Sequence, residues 1–258
     1  MGLKLRVLYL GKMEFPRFRL VECDNEATMV VSPAVALLIQ HPTLGNILYD
    51  TGNSADFLKT YTPEMLHNYP ITEMITIEEA LAKEGLTPGD IDQLILSHLH
   101  FDHAGGLQHF VSTKAIDHVL VSEADLKQAW WSVTTGQKGP YIRSLFDLPG
   151  IRFETIRDTT WLAEDLGLFV QQAHTPGVLG MVLKTQHHGT LLTTSDTLAT
   201  AESYQHDLPP GTAAPAVEAA FHANRRRVQA LAAEYQATLL FGHDAAQVQA
   251  WAGKGTLD

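Results

Sequence analysis

The sequence predicts an α/β protein in which short strands alternate with helices and the two halves follow a similar plan. Short apolar runs of strand length recur along both halves of the chain. Helix signals lie between them, including a capping box at residues 76–79 and helical apolar spacing over about 215–235. No low-complexity linker or charge block divides the 258 residues, so we expect a single domain over residues 1–258.

The first half combines predicted strands with two predicted helix starts. The strands are expected at 3–10, 33–40, 46–50, 93–97 and 118–122. Thr76, with Glu79 three residues later, predicts a helix that ends at Gly85. A second helix is expected to begin at Ser122. Residues 53–75 have no clear period and are predicted to form a long irregular loop.

The second half repeats the plan without repeating the letters. Its strands are expected at 166–172, 179–185, 190–194 and 237–241. A long helix is predicted over about 215–235, because four apolar residues fall on one face at helical spacing. These residues are Val217, Phe221, Val228 and Leu231. Several strands in both halves end at Asp or His, which places polar side chains where a sheet edge meets solvent.

Net charge, cysteine count and the lengths of apolar runs indicate which partners and which cell compartment to expect. The formal net charge of −11 disfavours binding to phosphate backbones, so no nucleic-acid partner is expected. The single cysteine, Cys23, excludes an intramolecular disulfide. The amino-terminal apolar run is too short for a signal peptide, and no stretch approaches the roughly 20 residues that span a bilayer. We therefore expect a cytoplasmic protein with no membrane partner.

The most informative segment is 97–106, in which three histidines and an aspartate directly follow an apolar strand. His98 and His100 lie two residues apart, which points both imidazoles to the same side of an extended chain. Asp102 and His103 fall where the chain is expected to turn into a helix, so they can converge on a neighbouring point. Neutral imidazole and carboxylate suit zinc and similar ions. The segment therefore predicts a metal site, although a lone His-x-His would indicate a chance surface cluster.

Three more candidate ligands stand at the ends of apolar runs: His174, Asp196 and His243. Each taken alone would more often be an ordinary loop residue. Together with the first cluster they complete two metal sites. Gly105 and Gly106 would let the backbone pass close to that cluster, because they carry no side chain.

In order and rough spacing these residues resemble the ligand set of the metallo-β-lactamase superfamily, from about residue 30 to 245. The resemblance implies a four-layer αβ/βα sandwich of two similar halves. It implies one metal on His98, His100 and His174, a second on Asp102, His103 and His243, and Asp196 as the bridge. Asp50 looks like the superfamily's early structural aspartate. The expected cofactor is two divalent ions, zinc foremost, although such ligands also accept iron, manganese or cobalt.

Within the superfamily, SHLHFDHAGG, HTPG and FGHD look most like the N-acyl homoserine lactonase branch. That branch opens lactone rings, so the resemblance implies a small lactone or related ester as substrate. Phe101 matches a phenylalanine that lines the substrate pocket there. Met13 and Phe15 belong to an apolar cluster on an early loop, for which packing under the sheet and a wall of an acyl pocket are both open.

Two positions depart from the family pattern. Val178 stands where many members carry a second histidine after HTPG. Ala199 stands where the lactonases carry a tyrosine that polarises the lactone carbonyl. Tyr204, five residues further on, is the catalytic candidate to replace that tyrosine, provided that the loop folds back.

A mechanism follows from the expected metals. Two ions would hold a bridging hydroxide at neutral pH, because coordination lowers the pKa of bound water to about 7. That hydroxide would attack the ester carbonyl, and Asp102 is the candidate to carry the proton to the leaving alkoxide. Other chemistry on the same site stays open: hydrolysis of a thioester, phosphodiester or β-lactam, an iron-dependent oxidoreductase, or a scaffold kept only for binding. The filled ligand positions disfavour the last.

Overall fold

The computed structural model describes residues 2–23, 28–211 and 215–258, which form two β-sheets with helices on their outer faces. The strands are β1 (Lys4–Pro16), β2 (Met29–His41), β3 (Gly45–Tyr49), β4 (Ile71–Met74), β5 (Gln93–Ile95), β6 (Val119–Ser122), β7 (Phe153–Ile156), β8 (Thr160–Ala163), β9 (Leu166–Gln171), β10 (Val178–Lys184), β11 (Thr190–Thr193) and β12 (Thr238–Leu240). The α-helices of these residues are α1 (Phe57–Thr60), α2 (Pro63–Asn68), α3 (Ile77–Lys83), α4 (Phe101–Ala104), α5 (Glu123–Thr134), α6 (Arg143–Phe146), α7 (Ala201–His206), α8 (Pro215–Tyr235) and α9 (Ala245–Ala252).

The two sheets differ in how their strands run. The larger has the order β4-β1-β2-β3-β5-β6-β7, and its β1 and β2 form a long antiparallel pair in which Lys4 lies opposite Gln40. From β3 to β7 its strands are parallel. The smaller sheet has the order β12-β11-β10-β9-β8 and is antiparallel except for the pairing of β11 with β12.

Three apolar clusters separate four layers. Leu37 of β2 and Met181 of β10 belong to the cluster between the two sheets. Leu81 of α3 packs in the cluster on the outer face of the larger sheet. Phe221 of α8 packs in the cluster on the outer face of the smaller sheet. The order helix, sheet, sheet, helix confirms the predicted four-layer α/β sandwich.

The predicted helix boundaries agree closely with the structure. Thr76 Oγ1 accepts from Glu79 N, and the Glu79 carboxylate accepts from Thr76 N, so the capping box at the start of α3 is confirmed. Gly85, just after this helix, has a φ of 73°, the left-handed conformation that favours glycine. The long helix α8 has the predicted bounds. Within the described residues, every helix is too short or too polar to cross a bilayer.

The prediction of an irregular loop over residues 53–75 was wrong. This segment contains α1, α2 and β4, each too short to show a hydrophobic period. Thr62 caps α2 by accepting from Met65 N, and β4 pairs with the edge of β1. Strand β1 itself extends to Pro16, so Met13 and Phe15 lie on a strand and not on a loop. Strands β7 and β8 and helix α9 were not predicted.

Candidate metal centre

Seven polar side chains meet where strands of both sheets end. They are His98 and His100 after β5, Asp102 and His103 on α4, His174 after β9, Asp196 after β11, and His243 after β12. Each is at least partly buried, and together they comprise all of the metal ligands predicted from the sequence. The chain enters α4 from extended backbone at His100, which turns Asp102 and His103 toward the same region as the two preceding histidines.

The ligand atoms form three overlapping groups, and within each group they lie within 4.8 Å of one another. The groups are His98, His100 and His174; His98, His103 and Asp196; and Asp102, His103 and His243. Oδ2 of Asp196 lies 3.3 Å from His174 Nε2, whereas its Oδ1 lies 3.2 Å from His103 Nε2 and 3.0 Å from His243 Nε2. One carboxylate thus presents a different oxygen to each end of the cluster.

The pKa values at this centre are shifted in different directions. Against the effect of burial, the charge of Asp196 raises the pKa of His103 well above its ordinary value and also raises the pKa of His243. Burial, reinforced by the neighbouring imidazoles, lowers the pKa of His98 and His100 well below the ordinary value. Burial alone would raise the pKa of Asp196, but the charges of His243 and His103 hold it well below its usual range. Neutral imidazole and ionised carboxylate are the forms that coordinate metals.

A buried nitrogen without a partner provides a direct test of whether a metal fits. His98 Nε2 is inaccessible to solvent and has no hydrogen-bond partner among the described residues. An unpaired polar atom of this kind is costly unless something outside the protein chain satisfies it. A divalent ion held jointly with the other members of its group would do so, and imidazole with carboxylate is a suitable donor set. The residues present therefore fit divalent metal ions.

The Nδ1 atoms of His103 and His243 are held by the protein. His103 Nδ1 lies 2.9 Å from Asp50 Oδ2, and because an ionised carboxylate only accepts, the imidazole donates. Asp50 Oδ1 also accepts from Ser97 N at 2.7 Å. His243 Nδ1 donates to the carbonyl oxygen of Pro33 at 2.9 Å. When these two imidazoles are neutral, the bonds keep the remaining proton on Nδ1 and leave the Nε2 lone pair to coordinate a metal.

Asp50→Ala is expected to weaken metal binding about 10- to 100-fold, because carboxylates that orient ligating histidines typically have effects of this size. The Ser97 amide and His103 Nδ1 would lose their acceptor. Metal affinity is measured by competition with a chromophoric chelator. Asp165→Ala is the matched control, because Asp165 pairs with His41 at 2.9 Å outside the cluster. Equal metal affinity in the Asp50 variant and the wild type would show that Asp50 does not position His103.

Asp125 and Tyr141 support the site in a way that the sequence did not predict. Asp125 Oδ2 accepts from the amide of Leu99 at 2.7 Å, between the two candidate ligands His98 and His100. Tyr141 donates to Asp125 Oδ1 at 2.6 Å, and its ring centroid lies 4.6 Å from that of His100. Burial raises the pKa of Asp125 to about 6. The sequence indicated only that Asp125 lies in the first turn of a helix.

Gly105 and Gly106 fit the close approach expected of them. A Cβ on Gly105 would collide with the backbone nitrogen of Ser54 and the carbonyl oxygen of Phe101. A Cβ on Gly106 would collide with the carbonyl oxygen of Thr51. The segment carrying Asp102 and His103 is thus packed directly against the backbone that follows β3.

The cluster opens into a cavity of about 900 Å³. Asp102 and Asp196 line it together with the three predicted substrate-binding residues, Met13, Phe15 and Phe101. The same three side chains also belong to a buried apolar cluster, so they pack against the strands and form the cavity wall at once. The packing interpretation of Met13 and Phe15 is therefore confirmed, and their contact with an acyl arm stays a prediction.

The structure does not bring Tyr204 to this cavity. Tyr204 lies on α7 and packs against Phe241 in the cluster beneath α8, with ring centroids 5.9 Å apart. Ala199 does line the cavity, and its carbonyl oxygen accepts from His243 N. The loop does not fold back as the predicted role of Tyr204 requires, so neither position offers a tyrosine hydroxyl to a substrate.

The fold and this cluster define a metallohydrolase-like α/β sandwich. Residues 29–243 match the metallo-beta-lactamase superfamily, which is most of the chain, and the protein belongs to that superfamily.

Relatives within the superfamily are similar over different lengths. An N-acyl homoserine lactonase of Bacillus sp is 29% identical over 64% of this chain and 64% of its own length. The N-acyl homoserine lactonase AiiB of Agrobacterium fabrum is 29% identical over 96% of this chain and 95% of its own. The structure of an N-acyl homoserine lactone hydrolase, with the product N-hexanoyl-L-homoserine at its catalytic metal center, superposes with a TM-score of 0.81 at 22% identity. That superposition covers 97% of each chain.

Proposed function

We propose that this protein hydrolyses the ring ester of N-acyl homoserine lactones or related small lactones, using two divalent metal ions, zinc foremost. The observation that carries the proposal is the seven-residue cluster opening into a large cavity with apolar walls. Such a cavity suits a substrate with a polar reacting ring and an apolar arm. The names of the relatives support the same substrate class.

The chain offers a distinct set of ligands to each ion. His98, His100 and His174 would hold one ion, and Asp102, His103 and His243 the other. The two oxygens of Asp196 face opposite ends of the cluster and would contact both. When bound, the ions supply a water of lowered pKa and positive charge beside the ester carbonyl.

Asp102 is the residue of this chain that we assign to proton transfer. Its carboxylate lies on the cavity wall, with Oδ2 3.7 Å from His103 Nε2 and 3.9 Å from His243 Nε2. In the reaction a water oxygen bonds to the ring carbonyl carbon, and the ring C–O bond breaks. Asp102 would take the proton that the water releases and deliver it to the departing alkoxide oxygen. The products are a hydroxyl group and a carboxylic acid, which ionises to a carboxylate and releases the proton that the assay detects.

The test is acid release from a panel of acyl homoserine lactones and simple γ-lactones by zinc-loaded protein. We expect ring opening that disappears in His98→Ala, since that change removes a shared member of two ligand groups. A protein that holds two metals but opens no lactone would overturn the proposal. Thioesters and phosphodiesters in the same panel would then identify the reaction.

A further inference from the structure

Among the described residues, three cations line the cavity, and two of them have a carboxylate partner: Lys138 lies 4.0 Å from Glu64, and Arg143 lies 2.8 Å from Asp147. The wall is largely apolar away from the metal cluster, and its apolar members include Met13, Phe15, Leu20, Met65, Phe101 and Ile142. Arg19 lines this same region, directly after β1. A guanidinium is strongly polar and stays charged, so its position against an apolar wall calls for a partner.

The partners of Arg19 within the described residues leave its charge uncompensated. Its Nη2 donates to the neutral side chain of Asn68, reaching Oδ1 at 2.9 Å. Its Nε is buried and has no hydrogen-bond acceptor among the described residues. Neighbouring Arg17 differs, because it forms an ion pair with Glu202 at 2.6 Å. Among the described residues, Arg19 thus has no carboxylate partner, whereas neighbouring Arg17 has one.

Aromatic side chains fix where Arg19 lies relative to the metal cluster. The Arg19 guanidinium carbon is 5.7 Å from the centroid of the Tyr69 ring. The Tyr69 ring is 5.9 Å from that of Phe101, whose chain neighbours are His100 and Asp102. One aromatic ring therefore separates Arg19 from the wall beside the reacting centre. A substrate whose ring sits at the metals would reach Arg19 with the arm attached to that ring.

We propose that Arg19 binds a carboxylate at the far end of the substrate's acyl arm, so that the preferred lactones carry an anionic arm. The inference rests on the proposed function for its reacting end. A guanidinium matches a carboxylate with two parallel hydrogen bonds, and such charge-assisted bonds are strong where water is partly excluded. A methyl-ended arm would offer the Arg19 guanidinium no acceptor.

Two substrates with six-carbon acyl arms test whether Arg19 binds an arm carboxylate. The arm of N-adipoyl homoserine lactone ends in a carboxylate, and the arm of N-hexanoyl homoserine lactone ends in a methyl group. Arg19→Met should lower kcat/KM for the adipoyl substrate roughly 10- to 100-fold, as expected for a hydrogen bond to a charged group. It should change the hexanoyl value by less than about twofold, since that arm has no charged group. Arg17→Met is the matched control and should spare both substrates. Equal losses on the two substrates would overturn the proposal, as would wild-type protein with no preference for the adipoyl arm.

Binding measurements separate this proposal from the proposed function. The lactam analogues of the two substrates resist hydrolysis, and their Kd values are measured by calorimetry for wild type and Arg19→Met. Tighter binding of the adipoyl lactam that is lost in the variant would support the proposed role of Arg19 even if no lactone is opened. Equal Kd values for the two lactams on wild type would overturn it, even if lactones are opened rapidly.

Discussion

Asp196→Ala is expected to reduce the bound metal from two ions per chain to less than one. This carboxylate is the group whose two oxygens face opposite ends of the cluster, so its loss weakens both sets of ligands. We expect kcat/KM on the best lactone to fall on the order of a thousandfold, because a bound metal contributes several kcal/mol to stabilising the transition state. The result is read from metal analysis after gel filtration and from initial rates.

A comparison with Asp50→Ala distinguishes the loss of a shared ligand from a general weakening of metal binding. Asp50 accepts a hydrogen bond from Nδ1 of His103 and is not one of the seven candidate ligands. Its removal should therefore weaken metal binding but leave all seven ligands in place. Excess zinc should therefore restore much of the activity of Asp50→Ala but little of the activity of Asp196→Ala. If Asp196→Ala kept two ions at wild-type affinity, the assignment of this residue as the shared ligand would be wrong.

Asp102→Asn is expected to lower kcat about 100- to 10,000-fold while both metals stay bound, the range that a positioned proton-transfer group typically contributes. The amide keeps an oxygen that can face the metal but cannot accept and release a proton at neutral pH. Turnover is measured at saturating metal, and metal content is determined on the same sample. Glu64→Gln is the control, because Glu64 lines the same cavity but is exposed at its rim.

Two outcomes would separate the roles of Asp102. Loss of turnover together with loss of one metal would mean that Asp102 acts only as a ligand. Full turnover with both metals bound would remove it from proton transfer altogether.

The metal cluster was largely predictable because much of its chemistry is local in sequence. Four of the seven residues lie within 98–103, directly after an apolar strand, and the others follow strands of their own. Asp125 and Tyr141 were missed for the opposite reason. The hydrogen bond from the Leu99 amide to Asp125 joins residues that are 26 positions apart. Leucine and aspartate at that spacing form no motif that would predict the contact. Only tertiary structure brings them together.

The same limit applies to secondary structure. Helix α8 is long enough for its apolar period to be visible, and its bounds were predicted correctly. Strand β4 spans four residues and is defined by pairing with β1 through Gly11 and Met74, not by its own pattern. The predicted catalytic role of Tyr204 failed for the same reason, because its position five residues after Ala199 did not reveal its tertiary contacts. Its side chain packs against the apolar cluster beneath α8 and not in the cavity.

The cavity draws its floor and its walls from different parts of the chain. The floor is the metal cluster, carried by segments after β5, β9, β11 and β12. The apolar wall comes largely from β1 and from the short helices between β3 and β4, which contribute none of the seven ligands. If the protein has the proposed function, substitutions in that wall would change which acyl arms the cavity admits while all seven candidate ligands stay in place. Such a separation would allow the range of substrates and the chemistry of bond breaking to diversify independently.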